Sequence, residues 1–400
     1  MRAMNAAVRV AVVISHPIQH FCPQYESWAK LPQVDLKVFF ASDKGLAAYE
    51  DKGFDRVLAW DQLKLDFPHE FLPGAVGKEI GLAIDSPDLS AQLSAFSPNA
   101  VVVYGYAQKL QRRALHWAGA TNTPVLMISD SELRAARNWA KRLIKAFALP
   151  SIFERVSLFL TVGDANEAYY RKYGVPDSRF IRCPFPIDAS HYDSVVARRE
   201  ECRTTVRSKL EIPGHHKVLL MVGKLVPWKR QADLVRFSNS IRTEREDVTV
   251  VLAGTGPDET PLRALARSVG AGGVLFAGFV PPSELAEYYC AADVYVHCSE
   301  REPHSLAISE AIYCGLPVII SDRCGSYGPT DDVRPGVNGF VYRCGDIRDL
   351  SLRLSVTLGE RTNRARMREA SQRIGRDNQR LAHGSALIQA LTALECSRSG

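Results

Sequence analysis

Two carboxylates, Glu302 and Glu310, stand eight positions apart within residues 299–316, Ser-Glu-Arg-Glu-Pro-His-Ser-Leu-Ala-Ile-Ser-Glu-Ala-Ile-Tyr-Cys-Gly-Leu. Acids at that interval, with small or apolar residues between them, suit the hydroxyls of a sugar. Ser305 suits a helix N-cap, and the N–H groups just after it would point out of a helix start that carries partial positive charge and favours a phosphate. Glu302 precedes that start and Glu310 follows it by about one and a half turns. One guest satisfies both features: a phosphate joined to polyhydroxylated rings, as in a nucleotide-sugar. The competing reading is an exposed loop acid and an ordinary helix-surface glutamate.

A second set of charges lies in residues 221–230, Met-Val-Gly-Lys-Leu-Val-Pro-Trp-Lys-Arg. Gly223 allows a close backbone approach, and Lys224 and Lys229 put two cations at the carboxyl end of a strand, where a diphosphate fits. Alone, two loop lysines are as well explained by solvation; a phosphate-ready helix start further along the same sheet favours the functional reading. Gly254-Thr255-Gly256 also follows a strand, but Glu259 occupies the third glycine position of a dinucleotide fingerprint and the pattern lies in mid-domain, so it reads as a βα turn. Nine scattered cysteines without a Cys-x-x-Cys pair give neither a zinc site nor a disulfide framework and point to a reducing cytoplasm. No His/Asp/Glu cluster in the sequence suggests a metal site.

The elements that would position these residues follow from length and pattern. A chain of 400 residues exceeds one core, so two units are expected. With 46% hydrophobic and 24% charged residues it reads as a soluble globular protein. A net charge of +6 fits an anionic substrate or an acidic membrane surface and is too diffuse for nucleic-acid binding. The apolar stretch ending at Ile14 is too short for a signal sequence or a membrane span.

Strands are expected at residues 8–14, 36–41, 101–104, 125–128 and 158–162 with helices between them, an open parallel sheet whose ligands bind outside the strand carboxyl ends. His16, Gly105 and Asp130 are therefore cleft candidates, set against the commoner role of a strand-end polar residue as a turn former. Residues 42–71 read as a long irregular loop. Residues 133–147 read as a helix in which Arg134, Arg137, Lys141 and Lys145 form a basic stripe beside apolar Leu133, Ala136, Ala140, Ile144 and Phe147. Such a face is either solvated or laid on an anionic membrane or a lipid-phosphate acceptor. A polar stretch over 189–216 precedes a second strand series at 218–222, 248–253, 274–276, 294–297, 317–321 and 339–342. The expected division is thus 1–190 and 191–375, with a last helix near 376–395 crossing back to the first unit.

The set of motifs then becomes specific. Gly223-Lys224-Leu225 with Lys229, Gly254-Thr255-Gly256-Pro257, Phe276-Ala277-Gly278-Phe279, Ala292-Asp293-Val294, the Glu302 and Glu310 pair, Gly315-Leu316-Pro317-Val318 and Asn338-Gly339-Phe340 occur in the order and approximate spacing of retaining glycosyltransferases of family 4. Ser15-His16-Pro17-Ile18-Gln19 and the stretch from Val162-Gly163 to Gly174-Val175-Pro176 extend the resemblance over nearly the whole chain. The resemblance implies the GT-B fold, two doubly wound Rossmann-like domains facing across a cleft, the first binding acceptor and the second the nucleotide-sugar donor.

By the same resemblance, Lys224 and Lys229 bind the donor diphosphate, Glu310 the ribose and Glu302 the transferred sugar. Backbone amides at His304, Ser305 and Leu306 contact phosphate or sugar, and the backbone near Val280 meets the base. Two departures stand out. Lys224 replaces an arginine, which removes a bidentate fork and keeps the charge; Pro303-His304-Ser305 replaces Gly-Phe-Gly, which directs attention to the His304 side chain. Many relatives carry a catalytic histidine at a first-domain strand end, where this chain has Tyr104-Gly105, leaving His16 or His20 as substitutes. The resemblance implies a front-face reaction without a protein nucleophile, a UDP- or GDP-sugar donor and no required cofactor. It also implies a lipid-linked glycan acceptor in exopolysaccharide or envelope synthesis at the inner face of the membrane, approached through Tyr104, Gly105, Asp130 and the basic stripe. A nucleotide-sugar epimerase and a non-catalytic sugar-nucleotide-binding protein are the other readings.

Overall fold

The computed structural model describes residues 7–46, 49–51, 56–58, 63–74, 80–134, 139–241, 246–270, 273–359 and 361–399. Runs of β-branched and aliphatic residues form two parallel sheets, each covered by helices on both faces. In the first, the strands lie in the order His69–Phe71, Val34–Phe40, Val8–Ile14, Ala100–Tyr104, Val125–Ser129, Leu158–Thr161, Phe180–Arg182. In the second the order is Val274–Gly278, Val248–Ala253, Lys217–Val222, Val294–His297, Val318–Ser321, Gly339–Tyr342. The central strand of each sheet came early in its half of the chain, as in doubly wound folds.

Burial on both faces explains why the strands read as unbroken apolar runs. Val10, Val12 and Ile14 face one layer with Tyr25 and Trp28 of the helix Cys22–Ala29, while Ala11 and Val13 face the other with Leu93, Leu110 and Ala114. The first layer is completed from far along the chain, by Ala386, Leu387, Ala390 and Leu391 of the helix Ala386–Ser399.

The chain crosses between the halves twice, and the crossings are bonded together. Gln379 accepts the amide of Ile187 at 2.8 Å and donates to the Phe185 carbonyl at 3.2 Å. The long helix Arg361–Arg380 packs on the second unit, where a Cβ on Gly375 would fall 2.8 Å from Tyr313 Cα. A wide turn at Leu381–Ser385, with Gly384 at φ 158°, then redirects the chain. There the Ala382 carbonyl receives Gln24 Nε2 at 2.8 Å and Trp28 Nε1 at 2.9 Å.

Two segments differ from the sequence reading. Within the span taken as irregular, Tyr49–Asp51 and Arg56–Leu58 pair antiparallel and His69–Phe71 joins the sheet beside Val38–Phe40. Three-residue strands are too short to show a period of two. The helices Ala189–Val196 and Arg199–Lys209 each bury a narrow face, Tyr192 and Val195 on one and Cys202 and Val206 on the other, so their composition stays polar.

Candidate active site in the cleft between the sheets

The carboxyl ends of the central strands face a cavity of about 530 Å³ walled by both halves of the chain. His16, Gln19, His20 and Lys44 come from the first half; Gly223, Gly254, Val280, Leu306 and Glu310 come from the second, with Ile187, Asp188 and Tyr192 from the linker. Two strand-end turns make the second wall, packed backbone to backbone. Gly254, at φ +147°, would place a Cβ 2.0 Å from the Gly223 carbonyl, and Gly256, at φ +155°, would place one 2.4 Å from the Leu225 carbonyl. The Gly-Thr-Gly sequence therefore serves the contact between neighbouring turns.

Glu302 and Lys229 do not wall this cavity, and Glu302 is the centre of a charged cluster of its own. Lys229 Nζ donates to its Oε2, Ser299 Oγ donates at 3.3 Å, and His297 Nε2 lies 3.4 Å away. Burial pushes the carboxyl up, but the bond to His297 and the Lys229 charge outweigh it and hold Glu302 at about 2. His297 is fully buried, with Nδ1 3.2 Å from the Tyr295 hydroxyl, and burial lowers its own pKa. Sequence reasoning missed His297. The signal was present, since it is a polar residue closing an apolar strand at its carboxyl end, the criterion that singled out His16.

The helix beginning at Leu306 carries the second acid. Leu306–Tyr313 has Ser305 at its N-cap, without a side-chain cap bond. The Ser305 amide donates to Ser326 Oγ at 3.0 Å, so it is engaged inside the protein and is not presented to a phosphate as expected. Leu306 and Glu310, one turn apart, both line the cavity. Tyr289 donates its hydroxyl to Glu310 Oε2 at 2.7 Å. Burial raises the Glu310 carboxyl to about 7, against the pull of the Tyr289 and Tyr192 hydroxyls.

His304 turns away from the cavity. Its ring is buried edge-on to Phe185 at 5.0 Å, with Nε2 3.4 Å from Asp332 Oδ2. Burial lowers the imidazole, but Asp332 and Asp331 beside it win and raise it. One ligand atom each from His304, Asp331 and Asp332 lie within 4.8 Å of one another, a cluster hidden in the sequence by the 26 residues between His304 and Asp331. These are the described residues that could hold a cation. Their oxygens are already engaged: Asp332 receives Ser309 Oγ and Asn378 Nδ2 at 2.7 Å each, and Asp331 receives the Asp164 amide at 2.7 Å. Burial and the neighbouring Asp332 raise the Asp331 carboxyl to about 6, while for Asp332 burial is outweighed by the bonds to His304 and Ser309, which lower it.

On the first-half side, burial drives His16 to about 4 and His20 to about 3, so both wall the cavity as neutral imidazoles. Tyr104 packs edge-on to Phe21 at 5.1 Å, Gly105 at φ +74° faces open space, and burial raises the Asp130 carboxyl. Lys224 sits at the turn whose carbonyl receives Gln231 Nε2 at 2.8 Å, outside the cavity wall.

Arg134 does not join the expected basic stripe. Arg134 precedes the helix, which is described over Trp139–Glu154, and reaches the other half of the chain instead. It bonds Glu132 at 3.0 Å, the Cys324 carbonyl at 3.3 Å and the Tyr327 hydroxyl at 3.2 Å. Arg137 and the Lys141 side chain lie outside the described residues. Lys145 lies over the Tyr169 ring at 5.3 Å. Among its described residues the helix exposes three large apolar side chains: Leu143, Ile144 and Phe147 are 51%, 67% and 78% exposed.

Part of the chain is similar in sequence to known proteins. Residues 203–374 match the family described as glycosyl transferases group 1. The chain is 33% identical over 138 residues to the alpha-monoglucosyldiacylglycerol synthase of Streptococcus pneumoniae, covering 34% of this chain and 31% of that protein. It is 25% identical over 292 residues to the putative teichuronic acid biosynthesis glycosyltransferase TuaC of Bacillus subtilis, covering 73% and 67%. The matched region thus spans about a third of the length of the first relative and two thirds of the second. Among solved structures, Anabaena HepE in complex with UDP superposes with a TM-score of 0.71 at 17% identity, covering 98% of this chain and all of that one. That likeness establishes the two-domain GT-B fold.

Proposed function

We propose, on the premise that residues 203–374 are a glycosyl transferases group 1 domain, that the chain is a retaining glycosyltransferase moving a sugar from a nucleotide-sugar to an acceptor of the cell envelope. The observation that carries this reading is a cavity at the strand ends walled by both halves of the chain, Glu310 and Gly223 among its residues, with the Lys229–Glu302 pair on the turns after the strands Lys217–Val222 and Val294–His297. In this reading the UDP or GDP part of the donor occupies the cavity, with its base against Val280 and Phe279 and its ribose on Glu310. The diphosphate takes Lys229, with Lys224 adding charge at the same turn, and Glu302 passes from Lys229 to hydroxyls of the transferred sugar. The bond from the anomeric carbon to the diphosphate breaks while the acceptor oxygen bonds to the same face. The acceptor proton goes to the departing phosphate oxygen, so no protein nucleophile takes part. Lysine charge on the leaving group and fixed orientation supply the rate gain.

The acceptor enters on the first-domain side, past Tyr104, Gly105 and Asp130, with His16 and His20 as neutral hydrogen-bonding groups. Testing is direct: with a panel of nucleotide-sugars, one or a few should raise the melting temperature and be turned over when acceptor is supplied. A panel that neither stabilises the protein nor is consumed overturns the assignment.

A membrane acceptor is supported by the exposed apolar face of Leu143, Ile144 and Phe147. In a flotation assay the protein should bind vesicles containing anionic lipid, and replacing Ile144 and Phe147 together by Glu should weaken that binding about tenfold or more. Equal flotation of wild type and variant removes this face from the reading.

A further inference from the structure

Glu310 is the one acid on the cavity wall drawn from the second half of the chain, and its surroundings are unusual for a carboxylate meant to meet a ligand. The described groups facing it are hydroxyls and a thiol, from Tyr192, Tyr289, Tyr295 and Cys314, and no ion pair reaches it among the described residues. Tyr289 is fully buried, and its hydroxyl holds Glu310 Oε2 at 2.7 Å from the helix Pro282–Ala291. Tyr192 is also buried, lines the same cavity, and its hydroxyl pulls the same carboxyl down. Its own helix, Ala189–Val196, is tied to the Glu310 helix by Tyr313 donating to Asp193 at 2.9 Å. The Tyr289 hydroxyl thus engages one oxygen of a carboxylate that also lines the cavity, with the Tyr192 hydroxyl close by on a separate helix.

We propose that Tyr289 and Tyr192 are positioning residues that hold Glu310 as a ribose-binding carboxylate, so that together they set the preference of the site for a ribonucleotide over a deoxyribonucleotide. The inference rests on the nucleotide-sugar reading above. Its chemistry is that a carboxylate accepts from both vicinal hydroxyls of ribose, and that a buried carboxylate without a cation needs neutral donors to carry its charge.

The sign of the effect follows. Ribose needs Glu310 ionised, so nucleotide affinity should rise with pH through the titration of this group, which lies near 7. Removing a hydroxyl donor raises that titration further, and affinity at neutral pH falls.

The experiment is calorimetric binding of UDP and GDP, and of their 2′-deoxy forms, from pH 6 to pH 9 to wild type, Tyr289→Phe, Tyr192→Phe and Glu310→Gln, with each fold checked by circular dichroism. In the Phe variants the expected result is a five- to tenfold weaker ribonucleotide affinity at pH 7, a midpoint displaced upward by about one pH unit, and a reduced ribo/deoxy ratio. In the Glu310→Gln background the same Tyr→Phe changes should have almost no further effect, which keeps the test sound if one single variant is structurally perturbed. An unmoved midpoint, or an equal loss for ribo and deoxy forms, overturns the positioning role while leaving the nucleotide reading intact. Wild type that binds none of the four nucleotides overturns both.

Discussion

Replacing Glu302 by Gln should lower turnover by about 100-fold or more, and Lys229→Ala should do the same, while donor affinity changes far less in the first than in the second. In the free protein these two residues satisfy each other, and the Ser299 hydroxyl and His297 complete the set. In the proposed reading, a donor diphosphate that engages Lys229 releases Glu302 toward the sugar, so each substitution removes one half of an exchange. Gln keeps the shape and the Ser299 contact but cannot hold the charge that organises Lys229. Lys229→Ala leaves a carboxylate without its cation, and the Glu302 titration should climb from its present value of about 2. Because that value lies below the ordinary one, Glu302 contributes stability above about pH 4.5 that is lost as pH falls toward 2. In Lys229→Ala the contribution at neutral pH shrinks. Single-turnover kinetics and acid-unfolding curves measure the two effects separately, and near-normal rates in both variants would sink the site assignment.

Gly325→Ala should be the most damaging substitution to stability among those considered. A Cβ there would lie 1.9 Å from the Pro303 carbonyl oxygen and 3.0 Å from Glu132 Oε2, and a backbone atom cannot swing aside as a long side chain can. Gly325 also donates its amide to the Glu302 carbonyl at 2.8 Å, and the adjoining Ser326 receives the Ser305 amide at 3.0 Å. The segment behind the Glu302 turn is bolted to the first half of the chain as well, through Arg134 on the Cys324 carbonyl and the Asp164 amide on Asp331. Pushing Pro303 away therefore moves the Glu302 turn and the domain contact at once. The expected cost is about 3 kcal/mol, at the upper end for overpacking, together with a large fall in turnover. Urea unfolding checks it against Gly214→Ala, where an added Cβ meets nothing within 4 Å and little change is expected. Equal midpoints for the two variants would show that the turn accommodates the methyl.

The sequence disclosed the parts of this molecule that depend on neighbours in the chain. Val8–Ile14 and Val248–Ala253 are long enough, and buried enough, for composition alone to mark them as central strands. Glu302 and Glu310 were legible because a single turn and helix carry both. Long-range partners were not. His304 was read as a donor contact because it lies between Glu302 and Glu310 in sequence; its ring packs on Phe185 and beside Asp332, both distant in sequence. Arg134 fitted a helical spacing, but the helix is described only from Trp139, and the guanidinium follows Tyr327 and Cys324 across the domain boundary. Periodicity gives the direction of a side chain along its own element and says nothing of a second domain that lies beside it.

The C-terminal helix has a consequence for how the protein is made. Ala386, Leu387, Ala390 and Leu391 fill one face of a sheet whose last strand ends at Arg182. During synthesis that face emerges some 200 residues before its cover, a delay on the order of 10–40 s at ordinary elongation rates. The second sheet, with its strands contained between Lys217 and Tyr342, can close its own core earlier. The usual vectorial order is therefore reversed: the half that leaves the ribosome first is completed last, and until then its bare apolar face is what a chaperone would meet.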